Sequence, residues 1–198
     1  MTKGLDPQQL LEKHLKSLPS SLREHINRVR DEAHSLGKVF GLDEKRIDLA
    51  ALAHDVARAI PEETLFRLAH LQGHIVLAAE EAAPVLLHGP VASHWLNEYF
   101  GVDDPEIYEA VRWHSTARIS MSPIAKVVFL ADKLDPAKKE RYPYAVEVRR
   151  LATEDLDAAI GTFLYYQTHS LLDSGMLIHP SSMEVLERFL RDEPGKDQ

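Results

Sequence analysis

The chain has 198 residues, of which 44% are hydrophobic and 27% charged, as is typical of a single globular domain. Its net charge of −8 excludes the basic surface of a non-specific nucleic-acid binder, and no apolar stretch approaches the roughly 20 residues that cross a bilayer. The lack of cysteine excludes disulfides and cysteine-ligated zinc, so we expect a cytoplasmic protein with no membrane or nucleic-acid partner.

Capping residues and prolines mark helix boundaries along the first half of the chain. Asp6-Pro7 begins a short amphipathic helix, and the segment from Ser21 to Glu24 has the form of a capping box. Asp43 caps a third helix, which contains the run LAALAHDVARAIP and ends at Pro61. The first five predicted helices cover residues 7–17, 21–40, 43–61, 61–71 and about 75–82.

The second half of the chain continues in the same way. Helices are predicted from Pro90 to Gly101, from Pro105 into VRWHST, from Pro123 through IAKVVFLADKL, from a Thr153 cap to Ser174, and over HPSSMEVLERFL. Residues 135–145 are a basic, proline-containing loop. Because no segment alternates with period two, we expect an all-α fold.

The third predicted helix carries His54 and Asp55 side by side in an Ala/Leu run. Burial of this pair costs free energy unless each side chain has a partner. Taken alone, such a dipeptide most often contains a core histidine whose hydrogen bonds are satisfied within the protein, and it has no function in catalysis or metal binding. Four further residues at predicted helix edges change that interpretation: His25, His88, His114 and Asp132. Asp132 ends the apolar run VVFLAD, where the helix dipole disfavours an acid.

The order His, His-Asp, His, His, Asp resembles the HD superfamily of metal-dependent phosphohydrolases. The chain is most similar to its YqeK-type branch, the symmetrical bis(5′-nucleosyl)-tetraphosphatases, over about residues 20 to 190. The resemblance rests on HINRV, ALAHDVARAIP, LLHGPVA, VRWHSTARISMSPIAKVVFLADKLDP and LIHPSSMEVLE. It implies a single compact helical HD domain at 20–190, with an N-terminal helical extension at 1–19 and a frayed tail at 191–198.

The resemblance also implies a divalent metal cofactor, one or two ions, with iron expected and manganese as the alternative. His25, His54, Asp55 and Asp132 would hold the primary ion. Asp55 could bridge to a second ion bound by His88 and His114. These two histidines could instead contact phosphate, or one could protonate the leaving group, and with Asp55 they form the expected catalytic set.

The expected substrate is a small molecule, diadenosine tetraphosphate, split symmetrically into two ADP by a metal-activated water. Its phosphates would be bound by Arg58, His88, His114, Ser115, Arg118, and either Lys138 or Arg141. The chain departs from the family pattern at Leu22 (usually Arg), at Ala117 (usually Gly) and in LDP (usually IEP). These departures fall among the residues expected to bind the substrate, and the expected metal ligands are unchanged. The resemblance therefore defines the class of reaction better than the identity of the substrate.

Two alternatives stay open at this point. Another HD phosphohydrolase activity, on a nucleoside monophosphate or a dNTP, fits the altered HSTAR segment and the longer basic loop. A non-catalytic nucleotide-binding regulatory module is the second, although an intact ligand set argues against it. His179 is expected to pack at a helix start and His74 has no assigned role. A homodimer is also left open.

Overall fold

The computed structural model describes residues 5–192, and within that range the chain forms helices and turns without a β-strand. The predicted all-α fold is therefore confirmed. The α-helices are α1 (Pro7–Leu15), α2 (Ser20–Val39), α3 (Glu44–Ala53), α4 (Glu62–Leu71), α5 (Ala78–Ala82), α6 (His88–Phe100), α7 (Pro105–Trp113), α8 (Pro123–Lys133), α9 (Ala145–Ala152), α10 (Leu156–Asp173) and α11 (Pro180–Asp192). Short 3-10 turns occupy Pro84–Leu87 and Pro136–Lys138.

Five of the eleven α-helices within residues 5–192 start after a capping side chain. Asp6, Asp43, Asp104, Ser122 and Asp155 each precede a helix and accept a hydrogen bond from its first-turn amides. Prolines occupy the first position of α1, α7 and α8, where the missing amide hydrogen has no partner to lose. The sequence thus sets where each of these helices enters the core.

Helix α8 forms the centre of the bundle. It packs against α2, α3, α7 and α10, and its residues from Val127 to Lys133 are all buried. Phe129 meets Phe163 of α10 edge to face, with ring centroids 5.7 Å apart. Because α8 is enclosed on every side, the last turn of this helix delivers Asp132 into the interior.

Helix α1 packs onto the rest of the domain. Leu11 and Leu15 belong to the common core, and His14 Nε2 lies 3.1 Å from the carbonyl oxygen of Val56. The ring nitrogen donates to that oxygen, which belongs to the segment that follows α3. Of the predicted extension 1–19, residues 1–4 lie outside the described residues; of the predicted tail, Arg191 and Asp192 complete α11 and the rest lies outside them.

The prediction that the third helix continues to Pro61 was wrong. Helix α3 ends at Ala53, with His54 as its C-cap, and consecutive turns follow. The amides of Val56, Arg58 and Ile60 bond to carbonyls three residues earlier. This tightening satisfies the helix-end carbonyls without a glycine or proline, so the sequence carries no stop signal there.

The expected loop and cap between residues 135 and 153 were also partly wrong. The basic segment contains a 3-10 turn, and the separate helix α9 follows it. Asp155 caps α10, whereas Thr153 donates its hydroxyl hydrogen to the carbonyl of Arg150 at the end of α9. The capping box expected at Ser21 is not formed: α2 begins one residue earlier, after Pro19, without a side-chain cap.

Over residues 5–192 no helix combines the length and apolar character needed to cross a membrane.

Gly89 allows close contact between α6 and α7, and this contact sets the position of His88. A Cβ atom at Gly89 would lie 2.7 Å from the carbonyl oxygen of Arg112, which is backbone and cannot rotate away. We expect Gly89→Ala to lower the free energy of unfolding by about 1–3 kcal/mol, measured by urea denaturation. Gly37→Ala is the control, because its nearest obstacle is the flexible end of the Ile47 side chain. An equal or larger loss for Gly37→Ala would contradict this account.

Candidate metal centre

Four helix ends and one helix face supply the six residues of the predicted cluster. His25 lies on α2, and His54 and Asp55 directly follow α3. His88 begins α6, His114 follows α7, and Asp132 lies in the last turn of α8. His54, Asp55, His88, His114 and Asp132 are buried, and the His25 side chain is 12% exposed. The structure brings together all six residues that the resemblance placed in the metal site.

Each of the four histidines donates its Nδ1 hydrogen away from the cluster. The acceptors are backbone carbonyl oxygens of Ala51 for His54 (2.7 Å), Val111 for His114 (2.7 Å) and Val85 for His88, and the Asp135 carboxylate for His25 (2.6 Å). A carbonyl oxygen only accepts, so the hydrogen of each neutral ring is on Nδ1. The four Nε2 atoms therefore carry no hydrogen and face one another, each with a lone pair that can bind a cation.

The first half of the cluster surrounds His25 Nε2. This atom lies 3.1 Å from Asp132 Oδ1, 3.4 Å from Asp55 Oδ2 and 3.4 Å from His54 Nε2. None of these partners carries a hydrogen to donate when the rings are neutral and the acids ionised. A cation at the centre of these four atoms would make the three contacts favourable.

The second half surrounds the other oxygen of Asp55. Its Oδ1 lies 3.0 Å from His88 Nε2 and 3.4 Å from His114 Nε2, and these two nitrogens are 2.8 Å apart. Asp55 thus presents one oxygen to each half. A carboxylate in this position is arranged to bridge two cations.

The pKa shifts of His54, His114 and the two acids suit metal binding, whereas the pKa of His25 is raised, because the effect of burial is outweighed by its hydrogen bonds to Asp132 and Asp135. Burial lowers the pKa of His54 to about 4, and burial also lowers the pKa of His114. Burial opposes ionisation of Asp55 and Asp132, but nearby histidines and, for Asp132, two lysines hold both carboxyl pKa values well below their usual range. Near neutral pH the rings of His54 and His114 are therefore neutral, and Asp55 and Asp132 are ionised. These are the states in which such side chains bind metal.

The donor set fits a divalent transition-metal ion. Ligand atoms about 2.1 Å from one ion and at right angles lie about 3 Å apart, close to the distances in both halves. Imidazole nitrogen and carboxylate oxygen suit iron, manganese and zinc. The groups His25–His54–Asp55 and Asp55–His88–His114 each have their ligand atoms within 4.8 Å of one another. A divalent metal cofactor is therefore supported by the structure.

Two lysines already neutralise Asp132. Lys133 Nζ lies 2.7 Å from Asp132 Oδ2 and 3.0 Å from the carbonyl of His114, and Lys138 Nζ contacts Oδ1. Lys138 thus approaches the same oxygen that faces His25. The sequence analysis named Lys138 as a candidate phosphate-binding residue. It gave Lys133 no role, because in the sequence Lys133 is only one more residue of the predicted helix.

A cleft of about 460 Å³ opens above the metal ligands. Arg58, Lys133, Lys138 and Arg141 line it together with His25, Asp55, His88, His114, Ser115 and Asp132. Ser115 Oγ is 3.2 Å from His114 Nε2 and 3.4 Å from His88 Nε2. Four cationic side chains beside a ligand cluster make a binding site for a polyanion, although the protein as a whole is acidic.

The structure does not bring Arg118 to this cleft. Arg118 lines a separate groove with Ile119, Lys126 and Phe189, and its guanidinium lies over the Trp113 ring, 5.6 Å from the centroid. Its expected contact with substrate stays a prediction. Leu22, where the family usually has arginine, lines the cleft, so this departure lies at the site itself.

Asp135 is a functional residue that sequence reasoning missed. One carboxylate oxygen accepts the His25 Nδ1 hydrogen at 2.6 Å, and Arg28 donates to both oxygens at 2.7 and 3.1 Å. Burial alone would raise the pKa of Asp135, but Arg28 and His25 lower it to about 2. Such outer partners orient metal-binding histidines. The only sequence signal was an acid three residues after Asp132.

The comparisons with known proteins agree with this geometry. The HD domain family matches residues 22–137, which include all six residues of the cluster. The chain belongs to the HD domain family. It is 31% identical over 173 residues to the symmetrical bis(5′-nucleosyl)-tetraphosphatase of Halalkalibacterium halodurans, covering 86% of this chain and 89% of the relative. It is 33% identical over 143 residues to the enzyme of that name from Bacillus subtilis, covering 69% and 72%.

A solved structure confirms the fold. The crystal structure of a predicted HD superfamily hydrolase involved in NAD metabolism from Clostridium acetobutylicum superposes with a TM-score of 0.87 at 23% identity. The match covers 96% of this chain and 99% of that one. The helical arrangement extends beyond the matched 22–137 segment, so α9, α10 and α11 belong to the shared fold.

The Asp135 carboxylate should stabilise the metal-free protein in a pH-dependent way. Because folding lowers its pKa to about 2, its contribution is complete above about pH 4, the unfolded value, and is lost as the pH falls toward 2. We expect Asp135→Asn to lower the unfolding temperature most near pH 7, with a difference from wild type that shrinks below pH 4. Differential scanning calorimetry across this range measures it. A difference that stays constant or grows on acidification would contradict the ionised Asp135–Arg28–His25 arrangement.

Proposed function

We propose that this protein is a symmetrical bis(5′-nucleosyl)-tetraphosphatase that hydrolyses diadenosine tetraphosphate to two ADP in a metal-dependent reaction. The observation that carries the proposal is the pair of ligand sets joined by Asp55 at the floor of a cationic cleft. The names of the curated relatives with 31% and 33% identity support this substrate. The family resemblance seen in the sequence implied the same activity.

The metal ligands follow from the geometry of the cluster. His25, His54, Asp55 and Asp132 would hold one ion, and Asp55, His88 and His114 would hold a second. A divalent ion there supplies a Lewis acid for a phosphoryl oxygen and makes hydroxide available near neutral pH. The inward lone pairs of His88 and His114 favour metal binding over the alternatives of phosphate contact and protonation of the leaving group.

The remaining cleft residues bind and position the polyphosphate. Arg58, Lys138 and Arg141 line the cleft, and each would neutralise phosphate charge. Ser115 can donate its hydroxyl hydrogen to a phosphate oxygen placed next to His88 and His114. Lys133 is held by Asp132 and the His114 carbonyl, so it adds a fixed positive charge at the bottom of the cleft. We assign Asp55, His88 and His114 as the catalytic set.

Several further assignments belong to this proposal. Iron is the expected metal, with manganese as the alternative, because both suit imidazole and carboxylate ligands. The net charge of −8 supports a small-molecule rather than a nucleic-acid partner, and a cysteine-free chain suits the cytoplasm. A homodimer stays a prediction. Neither a different nucleotide substrate nor a non-catalytic regulatory role is favoured by an observation on the described residues.

Replacement of the bridging carboxylate tests the activity and the site together. We expect Asp55→Asn to lower kcat on diadenosine tetraphosphate by at least about 10²-fold, because it removes an anionic ligand from both halves of the cluster. Wild-type protein should give ADP as the sole early product in an anaerobic assay with added Fe²⁺ or Mn²⁺, resolved by chromatography. The helical circular dichroism should be retained.

The matched control is Asp48→Asn, which changes an ion-paired acid of α3 that does not line the cleft. It should keep wild-type turnover. Full activity of Asp55→Asn would contradict the metal-site assignment. AMP and ATP as wild-type products would contradict symmetrical cleavage.

A further inference from the structure

The first turn of α11 contacts the segment that carries His114. Ser182 is buried, and its hydroxyl donates to the carbonyl oxygen of Thr116, a residue far away in the chain. Thr116 lies in the turn that directly follows His114 and Ser115. Helix α11 lies beyond the 22–137 segment matched by the HD domain family, so this contact comes from outside that segment.

The turn that Ser182 contacts is a constrained one. The amides of Thr116 and Ala117 both bond to the Trp113 carbonyl, at 3.2 and 2.8 Å. Ala117 has φ of 59°, in the left-handed region that is unfavourable for a residue with a side chain. Such a backbone persists only when its surroundings hold it. The Ser182 hydrogen bond is one of the contacts that does so.

His179, the residue before α11, faces α5, the helix that precedes the segment carrying His88. His179 Nδ1 accepts a hydrogen bond from the Ser181 amide at 3.2 Å, so its hydrogen is on Nε2. That Nε2 faces Glu80 Oε1 across 3.7 Å. Glu80 is buried, and it also contacts His74 Nε2 at 3.0 Å and accepts from the Leu77 amide at 2.9 Å. His179 therefore helps to compensate a buried carboxylate of α5.

Helix α5 leads directly to the backbone that orients His88. Four residues after Glu80 the 3-10 turn Pro84–Leu87 begins, and the carbonyl of Val85 in that turn accepts the His88 Nδ1 hydrogen. The short segment 179–182 thus contacts Glu80, on the helix that precedes the His88 turn, and Thr116, which follows His114 and Ser115. His88 and His114 are the two histidines that share Asp55 Oδ1.

We infer that Ser182 and His179 are positioning residues for the second half of the metal centre, the half formed by Asp55 Oδ1, His88 and His114. This inference rests on the two-ion form of the proposed function. Neither residue reaches the cleft, so each acts through the backbone on either side of the ligands. The first half, around His25 and His54, has its own outer partners in Asp135 and Ala51.

Calorimetric titration of the metal-free protein with Mn²⁺ tests this inference without an activity assay. We expect two binding events in the wild type, and His88→Ala identifies the second half by removing one of them. Ser182→Ala should raise the Kd of that same event by about 10-fold, the lower end of the effect of losing a direct outer partner of a metal ligand, because Ser182 acts through the backbone of Thr116. The other event should change by less than about twofold.

Two further variants separate positioning from general stability. Ser182→Thr keeps the hydroxyl and should keep the wild-type Kd. Ser93→Ala removes another buried hydroxyl, which donates to Pro90 within α6 at 2.7 Å, and should change neither event. Equal weakening of both events, or a lower unfolding temperature with both Kd values unchanged, would overturn the inference. A single event in the wild type would also overturn it, while symmetrical cleavage would still be decided by the product assay.

Discussion

The structure depends on one constraint: buried lone pairs that face each other need a cation. Four imidazole Nε2 atoms converge on the Asp55 carboxylate, and every ring has already donated its Nδ1 hydrogen elsewhere. Burial lowers the pKa of His54 to about 4 and so disfavours a protonated ring as the solution. A divalent ion in each half would satisfy the same atoms without a proton, and the polar pair in an Ala/Leu run would then be compatible with folding.

The fold builds this centre by bringing the ends of several helices together. His54, His88, His114 and Asp132 all lie at helix ends, where the backbone leaves carbonyls free to accept the imidazole hydrogens. For three histidines the acceptor is the carbonyl three residues earlier in the chain, so the same local geometry recurs. Helix α8, enclosed by its neighbours, carries Asp132 and Lys133, and Lys138 of the following 3-10 turn also contacts Asp132, so these three residues connect the cluster to the cationic cleft.

Much of this arrangement could be predicted from the sequence, for identifiable reasons. Asp and Ser caps and first-turn prolines fix several helix starts, and the resemblance to the HD superfamily picks out the His and Asp residues that the structure brings together. The end of α3 at Ala53 could not be predicted, because no glycine or proline marks it. Asp135 was missed because its importance comes from a contact with His25, 110 residues away in the chain. Arg118 was placed with the substrate by its motif, yet the left-handed turn at Ala117 and Ser120 directs the chain into another groove.

We propose that Asp55 bridges two divalent ions. Anomalous diffraction from crystals of Mn²⁺-loaded protein tests it most directly. We expect two anomalous peaks, one next to Asp55 Oδ2 with His25, His54 and Asp132, and one next to Asp55 Oδ1 with His88 and His114. Peaks away from Asp55, or no anomalous density among these six residues in Mn²⁺-saturated crystals, would contradict the account.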